Sequence, residues 1–245
     1  MIRPFLIALQ FLTSVPVRIA TESDETDIAR SLSYYPLVGL IVGGLLVAIS
    51  SLLSGIPTLL AAGLLLTAWV LMTGGLHLDG LADSADAWVG GLGDREKTLV
   101  IMKDPYCGPA GVVSILLVLL IKFAALHVVL EAEDLTALLL APVLGRTVLL
   151  LLFLTTPYVR ANGLGAPIAS CIPRQLVVLI FVATIVAVLF LAGSVSVWLM
   201  LATMLVFILF RTKMMRRIGG ITGDVAGALV EITETTVLVS AIFIS

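Results

Sequence analysis

Seven apolar runs, joined by short polar segments, leave this 245-residue chain few ways to fold. Each run approaches the roughly 20 apolar residues that a helix needs to cross a bilayer, and none alternates like the strands of a membrane barrel. Charged residues make up only 12% of the chain, against about a quarter in soluble domains. The sequence therefore predicts an all-α, polytopic bundle of about seven transmembrane helices, at residues 37–54, 57–73, 112–130, 135–156, 176–192, 195–210 and 225–245.

The length of the chain suits a single domain, and we expect one integral-membrane catalytic domain over residues 1–245. Residues 1–35 begin with an apolar run that is too short to span a bilayer, which predicts an interfacial or re-entrant segment. Residues 74–111 carry an acidic motif followed by a loop, and residues 211–234 carry a second acidic motif.

The lysines and arginines predict the orientation of the bundle. All but two of the 14 lie in the N-terminal segment or in the loops after the second, fourth and sixth runs. The connections on the opposite side carry none, and one of them carries Glu131, Glu133 and Asp134. Because cytoplasmic loops are enriched in lysine and arginine, we expect a cytoplasmic N-terminus and two acidic motifs that face the cytoplasm.

The first acidic motif, GGLHLDGLADSADAW, begins at residue 74 at the foot of the second run. Its spacing i, i+4, i+7 places Asp79, Asp83 and Asp86 on one helix face, where like charges repel, the more so near a bilayer. A divalent cation such as Mg²⁺, which prefers oxygen ligands, would relieve that repulsion. The motif therefore predicts a Mg²⁺ site, with a solvated helix face as the alternative. His77 lies about 160° from Asp79, which suggests a substrate contact or an interfacial residue.

The second acidic motif, GGITGDVAGALVEITE, repeats the pattern at residue 219. Asp224 and Glu231 are seven residues apart and share a helix face, as Asp79 and Asp86 do. The two motifs predict acidic helices that meet across one site, although Glu231 also suits a merely interfacial position. Gly80 and its counterparts in the second motif suit either close helix packing or the close approach of a ligand.

Basic residues offer candidate phosphate contacts. Lys103 either binds phosphate or simply follows the positive-inside bias, and Asp104 is either a ligand or base, or an ordinary loop carboxylate. Lys122 and Arg146 lie inside predicted spans, where cations face a bundle interior and pair with something. For Arg146 we favour a cavity that holds an anionic substrate over a structural ion pair, and for Lys122 both interpretations stay open.

Acidic residues that hold Mg²⁺ beside basic residues suit phosphoryl-group chemistry, because the metal neutralises phosphate charge and stabilises a leaving group. The chain contains no GxxxxGK[ST] loop for nucleotide phosphates, no HExxH zinc motif and no GxSxG nucleophile elbow. These absences argue against the corresponding hydrolase classes.

Five sequence blocks, in order along nearly the whole chain, carry a family resemblance: FLTSVPV, YYPLVG, TGGLHLDGLADSADAW, REKTLVIMKD and GGITGDVAGALVE. The chain resembles the cobalamin synthases, which are adenosylcobinamide-GDP ribazoletransferases. The resemblance implies a Mg²⁺-dependent enzyme of the bacterial inner membrane with its active site facing the cytoplasm. It would join adenosylcobinamide-GDP to α-ribazole or its 5′-phosphate and release GMP.

The resemblance also implies roles for the candidate site residues. The expected metal ligands are Asp79, Asp83, Asp86 and Asp224. The expected substrate and phosphate contacts are Lys103, Arg146, Lys122 and His77, and the expected general base is Asp104 or Glu231.

Two other classes of function compete with this interpretation. A transporter would use the intramembrane Lys122 and Arg146 to line a substrate path. An intramembrane aspartyl protease would pair Asp224 with one aspartate of the first motif. The net charge of −2 gives no basic surface for nucleic acid, so the expected partners are the substrates and the lipid bilayer, and a homo-oligomer stays open.

Overall fold

The computed structural model describes residues 2–17, 24–161, 163 and 165–243. Residues 1 and 18–23 of the predicted interfacial segment, and residues 244 and 245 of the last predicted span, lie outside this part of the chain. The described residues form helices α1 to α11 and a 3₁₀ turn, Leu32–Tyr34. The helices are Ile2–Leu12, Glu25–Ser31, Tyr35–Leu52, Thr58–Thr73, Leu76–Gly90, Arg95–Ile101, Pro109–Glu131, Leu135–Thr155, Ala166–Ser170, Arg174–Ile218 and Gly223–Ile242.

The predicted all-α polytopic fold is confirmed. In the described ranges, five helical stretches are long and apolar enough to cross a membrane: Glu25–Leu52, α7, α8, α10 and α11. A sixth is added if α4 and α5, which meet at an angle of 86°, count as one span. The predicted seven runs become six when α4 and α5 count as one span, because two predicted runs lie within α10, and five when they do not.

Helix α10 is interrupted at Gly193, whose φ of 55° and ψ of −136° are not helical. Its 45 residues would extend about 67 Å as a straight helix, more than twice the thickness of a bilayer core. Phe181 from the first half and Met204 from the second line one cavity of about 190 Å³ against α8. A straight helix would hold these two residues about 34 Å apart, so the halves fold back on each other at Gly193. The boundary between the fifth and sixth predicted runs coincides with this turn.

The sharp bend between α4 and α5 depends on two consecutive glycines in the left-handed region. Gly74 has φ 64° and Gly75 has φ 68°, a conformation that favours glycine over residues with a side chain. Ser14, after α1, stabilises the end of α4 because its hydroxyl donates to the carbonyl of Leu71 at 2.6 Å and its backbone N–H donates to that of Met72 at 2.8 Å. The first acidic motif thereby lies on α5, at a steep angle to α4, and packs against α7 and α11.

Glycines allow helix backbones to touch at two places that position the site. A Cβ on Gly39 would lie 2.5 Å from the carbonyl oxygen of Pro142, where α3 packs against α8. A Cβ on Gly80 would lie 2.6 Å from the carbonyl oxygen of Asp224, and one on Gly227 would lie 3.3 Å from Cα of His77. The packing interpretation of these motif glycines therefore holds, and it joins α5 directly to α11.

We expect Gly80→Ala to lower the free energy of unfolding by about 1–3 kcal/mol, the range for overpacking, because the atoms that the methyl group meets belong to the backbone. Gly44→Ala is the matched control, since Gly44 lies in α3 with nothing within 4 Å of an added Cβ. Unfolding in mixed micelles, followed by circular dichroism, measures both variants. Equal stabilities would contradict the proposed contact.

Candidate active site at one end of the helical bundle

A cavity of about 240 Å³ lies where the two acidic helices meet. Asp79 and Asp224 line it from α5 and α11, and His77 lies beside them. Residues of α1, α3, α8 and α9 complete the wall, most of them apolar. The predicted meeting of two acidic helices at one site is therefore confirmed.

Both aspartates lie where a helix begins. Asp79 lies in the first turn of α5, and Asp224 lies in the first turn of α11. Thr222 caps α11 by accepting a hydrogen bond from the backbone N–H of Val225 at 3.3 Å. The hydroxyl of Thr222 also donates to the carboxylate of Asp224 at 3.3 Å. The capping residue thus helps to orient the aspartate that lines the cavity.

The other two aspartates of the first motif have different surroundings. Asp83 is half-buried and close enough to Asp79 and Asp224 for their charges to act on it. Asp86 accepts hydrogen bonds from the backbone N–H groups of Gly108 at 2.7 Å and Gly111 at 2.9 Å, and so caps the start of α7. Within the described ranges, no three histidine, cysteine, aspartate or glutamate side chains are already placed to hold a metal ion.

Arg160 contacts the acidic site directly. The sequence indicates it only as one of the positive charges in a predicted cytoplasmic loop. Its guanidinium is 2.7 Å from Oδ2 of Asp224 and also donates to the carbonyl of Met102 at 2.9 Å. The loop is held against the start of α11, because Ile221 exchanges hydrogen bonds of 2.9 Å with Pro157 and Val159. Nothing in the sequence around Arg160 distinguishes it from the other loop arginines.

Tyr158 lies in the same loop and packs against α8 and the start of α9. Its ring stacks on Phe153 with centroids 6.2 Å apart, and its hydroxyl accepts a hydrogen bond from the backbone N–H of Gly165 at 3.2 Å. Burial raises the pKa of the Tyr158 hydroxyl above its ordinary value, so the phenol stays protonated and neutral beside the acidic helix.

Four charged side chains form a buried network between α7, α8 and α11. Nζ of Lys122 lies 2.7 Å from Oε2 of Glu231 and 2.5 Å from Oε2 of Glu234, and 4.3 Å above the ring of Trp69. Arg146 is fully buried and pairs with Oε1 of Glu234. Two positive and two negative charges balance, which makes the network tolerable away from water.

This network bears on three of the predicted roles. Arg146 and Lys122 are absent from the cavity wall and are paired with glutamates, which is the arrangement of the structural ion-pair alternative. The buried carboxylate of Glu231 is bound to Lys122. The substrate-binding roles of Arg146 and Lys122 and the basic role of Glu231 stay predictions.

His77 connects this network to the cavity. It is 3% exposed, which rules out the interfacial position considered from the sequence. Its Nδ1 lies 3.5 Å from Nη2 of Arg146, at the outer limit of a hydrogen bond that the guanidinium would donate. His77 is thus oriented from behind by Arg146 while it contributes to the cavity wall.

Lys103 and Asp104 lie in an exposed loop after α6 and are absent from the cavity wall. They follow Met102, whose carbonyl accepts a hydrogen bond from Arg160, so the loop begins next to the acidic site. A hydrogen bond of 3.1 Å from the backbone N–H of Tyr106 to Asp104 shapes the turn. The phosphate-binding role of Lys103 and the basic role of Asp104 stay predictions.

The fold and the site together define an integral-membrane helical protein with an acidic cavity at one end. The family model described as cobalamin-5-phosphate synthase matches residues 4–242, nearly the whole chain. The chain therefore belongs to the cobalamin-5-phosphate synthase family, as the sequence motifs predict. Membership also confirms the expectation of an enzyme of cobalamin synthesis, and it argues against the transporter and protease alternatives.

Curated relatives agree over the full length. The adenosylcobinamide-GDP ribazoletransferase of Pseudomonas fluorescens is 55% identical, over 96% of this chain and 97% of its own. That of Pseudomonas savastanoi pathovar phaseolicola is 54% identical, over 97% and 98%. That of Stutzerimonas stutzeri is 52% identical, over 96% of both chains. No solved structure matches the chain.

We expect Lys122→Met to destabilise the protein by about 3–5 kcal/mol, because it leaves one buried glutamate charge without compensation. Adding Glu231→Gln restores the balance between Arg146 and Glu234, so the double variant should recover most of that loss. Unfolding in mixed micelles measures the single and double variants. Additive losses would show that the charges do not act as one network.

Proposed function

We propose that this protein transfers the adenosylcobinamide phosphate group from adenosylcobinamide-GDP to α-ribazole or its 5′-phosphate and releases GMP. A hydroxyl oxygen of the ribazole bonds to the corrinoid-side phosphorus, and the bond from that phosphorus to the bridging oxygen breaks. The bridging electron pair leaves with GMP, and the hydroxyl proton passes to a base. The observation that carries the proposal is the shared cavity of Asp79 and Asp224, in a chain whose relatives bear this transferase name.

Mg²⁺ is the proposed cofactor, and the chemistry of the nearby side chains fits it. Asp79, Asp83 and Asp224 supply carboxylate oxygens, the donors that Mg²⁺ prefers. The guanidinium of Arg160 now pairs with Oδ2 of Asp224, so Mg²⁺ would share this carboxylate with Arg160 or displace it. We propose these three aspartates as the ligands and leave Asp86 with its hydrogen bonds to the start of α7. When bound, the metal would neutralise pyrophosphate charge and stabilise the departing GMP.

Arg160 is the proposed contact for the substrate phosphates. It is the charged donor at the rim of the acidic site, and a guanidinium matches the geometry of phosphate oxygens. Lys103 lies in the adjoining loop and is a second proposed contact. Asp104 remains the proposed base, because the carboxylate of Glu231 is already bound to Lys122.

The proposed location is the bacterial inner membrane, with the cavity facing the cytoplasm. The lysine- and arginine-bearing loops, including those of Lys103 and Arg160, lie at the same end of the bundle as the cavity. The connection at the opposite end carries Glu131, Glu133 and Asp134, and the positive-inside bias then sets the orientation.

We expect the purified protein in detergent to release GMP from adenosylcobinamide-GDP only when α-ribazole and Mg²⁺ are both supplied. Asp79→Asn should lower turnover by at least about 100-fold, a typical loss for one group that stabilises transition-state charge. Glu131→Gln, an exposed carboxylate at the other end of the bundle, should leave turnover unchanged. Absence of GMP release when all components are intact would refute the proposed reaction.

Arg160→Gln should lower turnover by about 10²-fold, because it removes a charged donor from the developing phosphate charge. Arg160→Lys keeps the positive charge but not the bidentate geometry of the guanidinium. Its turnover should lie between that of Arg160→Gln and that of the unmodified protein. Steady-state GMP release and the KM for adenosylcobinamide-GDP measure both. An Arg160→Gln variant with normal kinetics would remove Arg160 from the phosphate site.

A further inference from the structure

The cavity divides into an acidic part and an apolar part. Asp79 and Asp224 lie on the α5 and α11 side. The rest of the wall includes Phe11 of α1, Phe153 of α8 and Ile168 of α9, which are apolar, and Tyr35 of α3. Phosphoryl chemistry explains the acidic part but not the apolar one, so the apolar wall points to an uncharged portion of a substrate.

The size of the cavity limits which portion that is. Its volume of about 240 Å³ lies just below the range of roughly 300–1,000 Å³ usual for pockets that hold whole small molecules. A corrinoid macrocycle with its amide side chains is far too large to enter. One planar bicyclic ring fits, which leaves the guanine of the donor and the dimethylbenzimidazole of the acceptor.

The lining distinguishes these two rings. Guanine carries more hydrogen-bonding groups along its edge than the polar lining residues Tyr35 and His77 provide partners for, and the side chains of Leu149, Phe153 and Ile168 provide none, so burying guanine there is unfavourable. Dimethylbenzimidazole presents two methyl groups and a hydrocarbon edge, which suit such a wall. The apolar part therefore favours the ring of the acceptor.

We propose that the apolar part of this cavity, between Phe11, Leu149, Phe153 and Ile168, is the acceptor subsite and holds the dimethylbenzimidazole ring of α-ribazole. The inference rests on the proposed function. With its ring against the apolar wall, α-ribazole directs its ribose hydroxyls toward Asp79 and Asp224. The donor pyrophosphate then approaches from the rim beside Arg160, and the corrinoid stays outside the cavity.

The test fills the subsite without changing a charge. Leu149→Trp places a large ring in the cavity, and Leu151→Trp is the matched control, because Leu151 lies on the same helix but lines the separate cavity against α10. Calorimetry measures binding of α-ribazole, and separately of GMP, to each full-length variant in detergent. We expect Leu149→Trp to weaken α-ribazole binding by at least about tenfold, since even one methylene in an apolar pocket is worth that much.

GMP binding to Leu149→Trp, and α-ribazole binding to Leu151→Trp, should each stay within about twofold of the unmodified protein, because neither ligand then meets the added ring. Unchanged α-ribazole binding by a folded Leu149→Trp would overturn the inference, and selective loss of GMP binding would assign the subsite to guanine instead. If Leu149→Trp does not fold, Ile168→Trp on the short helix α9 repeats the test.

The binding measurement also separates this inference from the proposed reaction. Binding of α-ribazole that depends on Leu149, in a protein that releases no GMP, would support the subsite and refute the reaction. GMP release with an unchanged KM for α-ribazole in Leu149→Trp would support the reaction and refute the subsite.

Discussion

Two positive and two negative charges, from Lys122, Arg146, Glu231 and Glu234, lie inside a bundle whose buried side chains are mostly apolar. Lipid offers no partner for any of them, so each side chain must meet its counterpart across a helix interface. Satisfying all four at once fixes the rotation and height of α7, α8 and α11 relative to one another. The position of α11 in turn decides where α5 docks, because Gly80 rests on the backbone of Asp224.

This dependence explains which structural features can be predicted from the sequence and which cannot. The apolar runs predict the helices, and the spacing of the aspartates predicts that two acidic helices share a site. The intramembrane position of Arg146 also indicates that it needs a partner. The sequence does not identify Glu234 as that partner, because the two lie 88 residues apart and meet only when α8 and α11 have packed. Glu231 was one of two predicted bases, with Asp104, because the sequence likewise does not show its contact with Lys122, 109 residues away along the chain.

The aspartates of the first motif show a second limit of prediction from the sequence. A helical spacing predicts that Asp79, Asp83 and Asp86 share a face, but it does not say what that face meets along its length. On α5 one end of the face borders the cavity, while the other meets the N–H groups that begin α7. The contact of Arg160 with the acidic site cannot be predicted for a related reason. It depends on the hydrogen bonds that hold the loop of Arg160 against Ile221.

The pairing of the buried charges has an electrical consequence. Lys122 and Arg146 balance Glu231 and Glu234, so the network as a whole carries no net charge. A membrane voltage does work only on net charge that is displaced across its field, so a voltage exerts little net force on these four paired side chains.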